Sequence, residues 1–368
     1  MDVLASPTAR IRPNVADDPN FNLVPRSTLY RLQLFMMDIA SPWSRFCLDA
    51  AGLIALADIN TVARRTVLTG NSTWLDIFVL CPGMHKQQNA TDLNRGEYPA
   101  CAAMTTGYVF RVENPAAVCF LQRVGRTGHL TTLNVEELPA MSWWQKTMHS
   151  FFDLNTTSLV SITMYVLATG LTLLALLGLF HLRDVWGCTA ILIYILIRAI
   201  NVYIIRARAS VDWKGAKEDN EAGSLMILLS QDRWIRMKGS VSDLKAVTSG
   251  QWLRDVTATE DSLSNCSTLL IYLNVIVAVN AEHHSKMLLI VLLLCSAALL
   301  GIANLSVEST GSFTMAGRAI KTSGKPKKYE RRLHMAEELI KETNRRDWAE
   351  GLGMVKPESG HYTGQPTM

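Results

Sequence analysis

The chain has 368 residues, of which 49% are apolar and 18% charged, and its 36 Lys and Arg against 32 Asp and Glu leave a formal net charge of +4. A mean hydropathy of +0.14 is high for a soluble protein, and the apolar residues gather in the second half, in windows of about twenty residues almost free of charge. That arrangement excludes an ordinary soluble enzyme, a disordered chain and a secreted disulfide miniprotein. It predicts an α-helical membrane protein with four transmembrane helices, arranged as two antiparallel hairpins, plus a small N-terminal α+β soluble domain.

Residues 1–27 are rich in Pro, Asp, Asn and Arg without periodicity and read as a flexible leader, with no apolar run of the kind a signal peptide needs. From Ser41 the pattern turns helical: Ser41 is placed to cap, Pro42 suits the first turn, and Trp43, Phe46, Ala50, Leu53, Ile54 and Ala57 recur at helical spacing, predicting an amphipathic helix as far as Arg65. The runs TWLDIFVLC, GYVFRV, AAVCFLQRV and HLTTLNV are rich in Val, Phe, Leu and Thr and are separated by Pro-Gly, Asn-Pro and Gly breaks, which predicts strands. Residues 28–140 therefore read as one α+β domain. Residues 141–156 follow as an interfacial linker whose Trp143, Trp144, Phe151 and Phe152 suit an aromatic belt.

The spans come next. Residues 157–205 form the first predicted hairpin, turned at His181–Asp184, and 262–305 form the second, turned at Glu282–Lys286. Asn265, Asn274 and Asn280 dilute the third span, so a re-entrant or interfacial segment is the alternative there. Between the hairpins, residues 206–261 read as a loop subdomain: SLMILLSQDRWIRMKG suggests two strands around Ser230–Asp232, and SDLKAVTSGQWLRDVT a short helix capped by Ser242. Residues 306–368 are a basic, then amphipathic tail, with Tyr329, Leu333, Ala336 and Ile340 on one helical stripe and Gly351 and Gly353 ending it. Lys and Arg crowd the ends of the long segments, at Lys146, Arg206, Arg208, Lys214, Lys217, Arg318, Lys321, Lys325, Lys327 and Lys328, whereas the short links hold Arg183 and Lys286. By the positive-inside rule both termini and the 206–261 loop are expected in the cytoplasm. The Asn-x-Ser/Thr sequons at Asn71, Asn89, Asn155, Asn265 and Asn304 would then stay unmodified, and the seven scattered cysteines fit a reducing compartment.

The strings PACAAMTTGYVFRVENPAAVCFLQRVGR, LLSQDRWIRMKGSVSDLKAVTSGQWLRD and KKYERRLHMAEELI resemble those of uncharacterised multi-pass integral membrane proteins of filamentous fungi, over most of the chain from Leu34. The resemblance implies a membrane protein of fungal origin and carries over no catalytic residue.

Phosphate loops, dinucleotide fingerprints, His-Glu-x-x-His, Gly-x-Ser-x-Gly and paired Cys-x-x-Cys are all missing from the sequence. Cys81 and His85, with Cys101 and Cys119 downstream, have irregular spacing for a metal site and read as scattered thiols beside a turn histidine. His283 and His284 read as solvated residues of a membrane turn. Arg198, with Asn201 one turn on, is the charged feature inside a span. Together with Asn274 and Asn280 these are the candidate intramembrane polar residues, because a polar group in a span turns toward another helix. Arg198 is expected either to snorkel to the cytoplasmic face or to pair with Asn274 or Asn280. No catalytic, cofactor or metal residue is assigned. The expected function is that of a non-catalytic membrane scaffold or interaction protein, the alternatives being a small oligomeric transporter or channel and then a membrane enzyme with an unrecognised site. The expected partners are the lipid bilayer and, through the head, the 206–261 loop and the tail, other proteins or a second copy of the chain. Nucleic acid is not expected.

Overall fold

The computed structural model describes residues 55–57, 60–87, 94–139, 142–144, 158–209, 221–250, 253–315 and 317–357. The leader, most of the helix expected over 41–65 and most of the linker lie outside the described residues. In chain order the elements are α1 (Thr61–Thr69), a 3-10 turn (Trp74–Phe78), β1 (Ala100–Ala103), β2 (Val109–Arg111), α2 (Pro115–Val124), β3 (His129–Glu137), α3 (Leu159–Leu182) and α4 (Val185–Ala209). They continue with β4 (Ala222–Leu229), β5 (Arg233–Ser240), α5 (Val241–Thr248), α6 (Ala258–Val279), α7 (His283–Ser309), β6 (Ser312–Met315), β7 (Arg318–Lys328), α8 (Arg332–Thr343) and α9 (Asp347–Gly351).

Four helices, α3, α4, α6 and α7, of 24, 25, 22 and 27 residues, are long and apolar enough to cross a membrane. Short links join α3 to α4 and α6 to α7. The closest packing nonetheless runs across the hairpins, α3 against α7 and α4 against α6. Asp184 joins the two links: its Oδ1 accepts from the N–H groups of Trp186 and Gly187 at 3.0 and 3.1 Å, capping α4, and its Oδ2 accepts from Glu282 N–H at 2.9 Å. A Cβ on Gly187 would stand 3.1 Å from Ser285 Cβ, so the first turn of α4 can approach α7 only as glycine without displacing it.

The expectation of a small N-terminal α+β domain is corrected by a seven-stranded sheet of order β2-β1-β4-β5-β3-β7-β6, drawn from the head, the 206–261 loop and the tail together. All neighbours are antiparallel except β3 and β5, which run parallel with Leu133 beside Met237. The loop hairpin β4–β5 thus lies between β1 and β3, so the strands of the head are not contiguous without it. Alternation along the strands feeds two cores. On one face Cys101, Leu133, Leu225, Ile227, Ile235 and Met237 pack with Phe120 and Leu121 of α2 and Leu244 and Val247 of α5. On the other Ala102, Met226 and Trp234 pack with Met335, Ala336 and Leu339 of α8 and Trp348 of α9. The result is a helix–sheet–helix sandwich attached to a helical bundle.

Two runs expected as strands take other forms. AAVCFLQRV is α2, because Asn114 caps it, accepting from the N–H groups of Ala116 and Ala117 at 3.1 Å each, while Pro115 occupies the first turn. The Asn-Pro pair read as a break is in fact a helix start. TWLDIFVLC becomes the 3-10 turn and an irregular stretch in which Val79, Leu80 and Cys81 are fully buried. The β4–β5 hairpin turns where expected, with Gln231 and Asp232 at φ 61° and 51°, and α5 is capped by Ser240, accepting from Asp243 N–H at 3.1 Å, in place of Ser242.

Candidate functional site: a polar anchor inside the bundle

Arg198 and Asn201 are three residues apart on α4 and so share a face. Each is only 1% exposed. The guanidinium is held from two sides: Nη1 donates to Asn201 Oδ1 at 2.8 Å, and Nε donates to the backbone carbonyl of Asp76 at 3.0 Å. Asn201 Nδ2 in turn donates to the carbonyl of Lys86 at 2.8 Å. Arg198 is therefore fixed by the segment that follows α1, and its bonding partners are Asp76 and Asn201 in place of the expected Asn274 or Asn280.

The same segment is tied to α3. Tyr165 donates its hydroxyl proton to Asp76 Oδ1 at 3.0 Å and lies 2.9 Å from Thr73 Oγ1, while Asp76 Oδ2 accepts from Thr73 N–H at 2.7 Å. Asp76 thus presents its carbonyl to α4 and its carboxylate to α3. Three further ties surround this centre. Arg206 Nη1 donates to the carbonyl of Ser72 at 2.8 Å, with its guanidinium 4.6 Å above the Trp74 ring. Arg65 Nη1 reaches Ser161 Oγ at 3.2 Å, and Asn304 Nδ2 donates to the carbonyl of Thr61 at 2.9 Å.

Apolar packing closes the site. Leu80 and Met84 belong to the cluster formed by Leu179, Tyr194, Ile197, Ile271 and Leu292, and Val79 and Cys81 to that of Tyr165, Ala168 and Leu300. Irregular backbone this deep among apolar helices is tolerated only when its polar groups find protein partners, and Arg198, Asn201 and Arg206 supply them. A buried arginine costs several kcal/mol if left unpaired. Here it faces two acceptors, with the buried carboxylate of Asp76 close by. The arrangement fastens residues 72–87 to α3 and α4; the donors meet carbonyl and carboxylate acceptors of the chain itself.

The remaining candidates are dispersed. Asn274, fully buried, donates Nδ2 to the carbonyl of Ala190 at 3.1 Å and so links α6 to α4, whereas Asn280 is exposed at the end of α6 and bonds the carbonyl of Ile276 at 2.8 Å. His283 and His284 open α7 with ring centroids 6.1 Å apart, edge to face. Cys81 lies within 72–87, but Cys101 lies in β1 in the sheet core, where burial pushes its thiol pKa up. Among the described residues no three His, Cys, Asp or Glu side chains converge on a metal position. Sequence reasoning missed Asp76 and Tyr165. Asp76 is the lone acidic residue in TWLDIFVLC, and that isolation was the signal.

Comparison with protein-family models, with curated proteins and with solved structures gives no match to this chain.

Proposed function

We propose that the chain is a multi-pass membrane protein whose four helices hold a rigid sheet platform at the cytoplasmic surface, and that it serves as a non-catalytic scaffold or interaction protein. The observation that carries this reading is the single sheet. Segments before, between and after the two hairpins each contribute strands to it, which requires all three to share one side of any membrane the helices cross. The Lys and Arg flanking those segments assign that side to the cytoplasm. Because β6 begins at Ser312, directly after α7 ends at Ser309, the sheet is held against the end of the bundle, and a fixed orientation is what a membrane scaffold offers to partners.

The rival reading, a transporter or channel, draws on buried polar groups elsewhere in the bundle, such as Thr172, Ser267 and Ser296. Two measurements on the full chain separate the readings. Photo-crosslinking from exposed Tyr98 and Tyr108 in native membranes should give discrete protein adducts. Solute flux in proteoliposomes that is lost in Arg198→Leu, with no adduct from either tyrosine position, would overturn the scaffold reading. Endoglycosidase treatment tests the side: no mobility shift is expected, and a shift abolished by Asn71→Gln would place the sheet in the lumen.

A further inference from the structure

Basic side chains meet where the bundle joins the sheet. Arg64 on α1 engages both carboxylate oxygens of Glu308, in the last turn of α7, through Nε and Nη2. Arg123, in the last turn of α2, brings Nη1 to 3.6 Å from the same carboxylate, outside hydrogen-bond range. Its Nε and Nη2 are buried and find no hydrogen-bond acceptor among the described residues, the guanidinium lying 5.2 Å over the Phe120 ring. Arg95 adds to the positive potential felt by Cys119, one turn before Arg123 on α2. A single carboxylate thus faces more than one guanidinium, and the more enclosed of the two keeps two unused donors.

Buried donors without an acceptor are uncommon in native proteins and call for an acceptor. The planar fork of an arginine matches phosphate oxygens, and burial raises the strength of that contact. Position supplies the source of the phosphate. Glu308 lies 25 residues beyond His283 on one continuous helix, about 37 Å of rise, which is enough to cross a hydrocarbon core of roughly 30 Å and enter the headgroup layer.

We propose that Arg64 and Arg123, at the junction of α1, α2 and α7, bind the phosphate of an anionic membrane phospholipid. The bound headgroup would supply the acceptors that Arg123 lacks and clamp the sheet to the leaflet beneath it. Binding requires Arg123 to share its charge between Glu308 and the lipid, which its 3.6 Å separation from the carboxylate allows.

The proposal rests on the membrane reading above, and release of the chain by alkaline carbonate extraction would reject that reading by itself. The direct test uses the purified full chain in lipid nanodiscs of phosphatidylcholine alone, phosphatidylcholine with phosphatidic acid, or phosphatidylcholine with inorganic phosphate in the buffer. Retained lipid is read by native mass spectrometry and stability by thermal melting. Phosphatidic acid should be retained and should raise the melting temperature, and Arg123→Gln should cut retention about tenfold, the loss of a charged hydrogen bond. Arg64→Gln, at a side chain 53% exposed, should weaken retention as well and serves if Arg123→Gln does not fold. Equal retention by the parent and both variants would overturn the proposal. Equal stabilisation by inorganic phosphate would overturn the lipid assignment.

Discussion

Arg198 ties residues 72–87 to α4. Replacing it by Leu leaves the buried side-chain oxygen of Asn201 without its donor and the carbonyl of Asp76 with the N–H of Val79 alone. Removing one partner from a buried charged network costs about 3–5 kcal/mol. Arg198→Leu should therefore insert normally but melt well below the parent in detergent, with new protease sites in 72–87. An unchanged melting temperature would mean that this segment does not need the arginine. Tyr165→Phe removes one donor to Asp76 and should cost about 1–3 kcal/mol. The sequence made Arg198 and Asn201 visible, because a charge within an apolar run is conspicuous. Asp76 was hidden by its setting: the surrounding Trp, Ile, Phe and Val read as a strand, and local periodicity cannot register a partner 122 residues away.

At the scale of elements, α8 and α9 cover one sheet face and depend on close contacts. A Cβ on Gly351 would come within 2.6 Å of Val109 Cγ2, and one on Gly107, at φ +78°, within 2.2 Å of the Asp347 carboxylate. Gly351→Ala should push α9 off β2 at a cost of about 1–3 kcal/mol, seen as faster proteolysis of the tail than in the parent. A tail cleaved at the parent rate would show that α9 adjusts without strain. Docking of the same layer should also depend on pH. A hydrogen bond from Arg236 holds Glu342 below the usual carboxylate range, and one from Arg345 does the same for Asp347. Groups with depressed folded pKa contribute stability above their unfolded values, near 4, and lose it as pH falls through the folded ones. Amide protection in α8 should accordingly fall as pH is lowered from about 5 to 3; protection that is flat over this window would contradict the pairing. The amphipathic stripe made α8 legible. α2 was not, since Val118, Cys119, Phe120 and Leu121 have strand-like composition and only the Asn114 cap distinguishes the helix.

For the whole molecule, the four long helices were legible because a run of about twenty apolar residues matches the thickness of a bilayer and exceeds what a soluble core helix needs. The sheet was not, since neighbouring strands come from segments that two hairpins separate: Asn134 of β3 lies beside Lys238 of β5 and Lys321 of β7. Residues 28–140 read as a domain of their own, whereas the core exists only when all three segments combine. Residues 28–140 expressed alone should thus fail to give a protease-resistant core, as β4 and β5 would be missing from between β1 and β3. A stable, cooperatively melting fragment would contradict the strand order.

The measurement that bears most directly on the single sheet is crosslinking between its three contributors in intact membranes. Cysteines placed at Asn134 and Lys238, and separately at Asn134 and Lys321, occupy facing register positions, within reach of a short thiol-reactive linker. Ser224 and Lys238, which face each other within the loop hairpin, serve as the positive control. Linked peptides joining head to loop and head to tail, at yields comparable with the control, are the predicted result. Efficient linkage in the control with neither of the other two would contradict the account, placing the three segments in separate bodies.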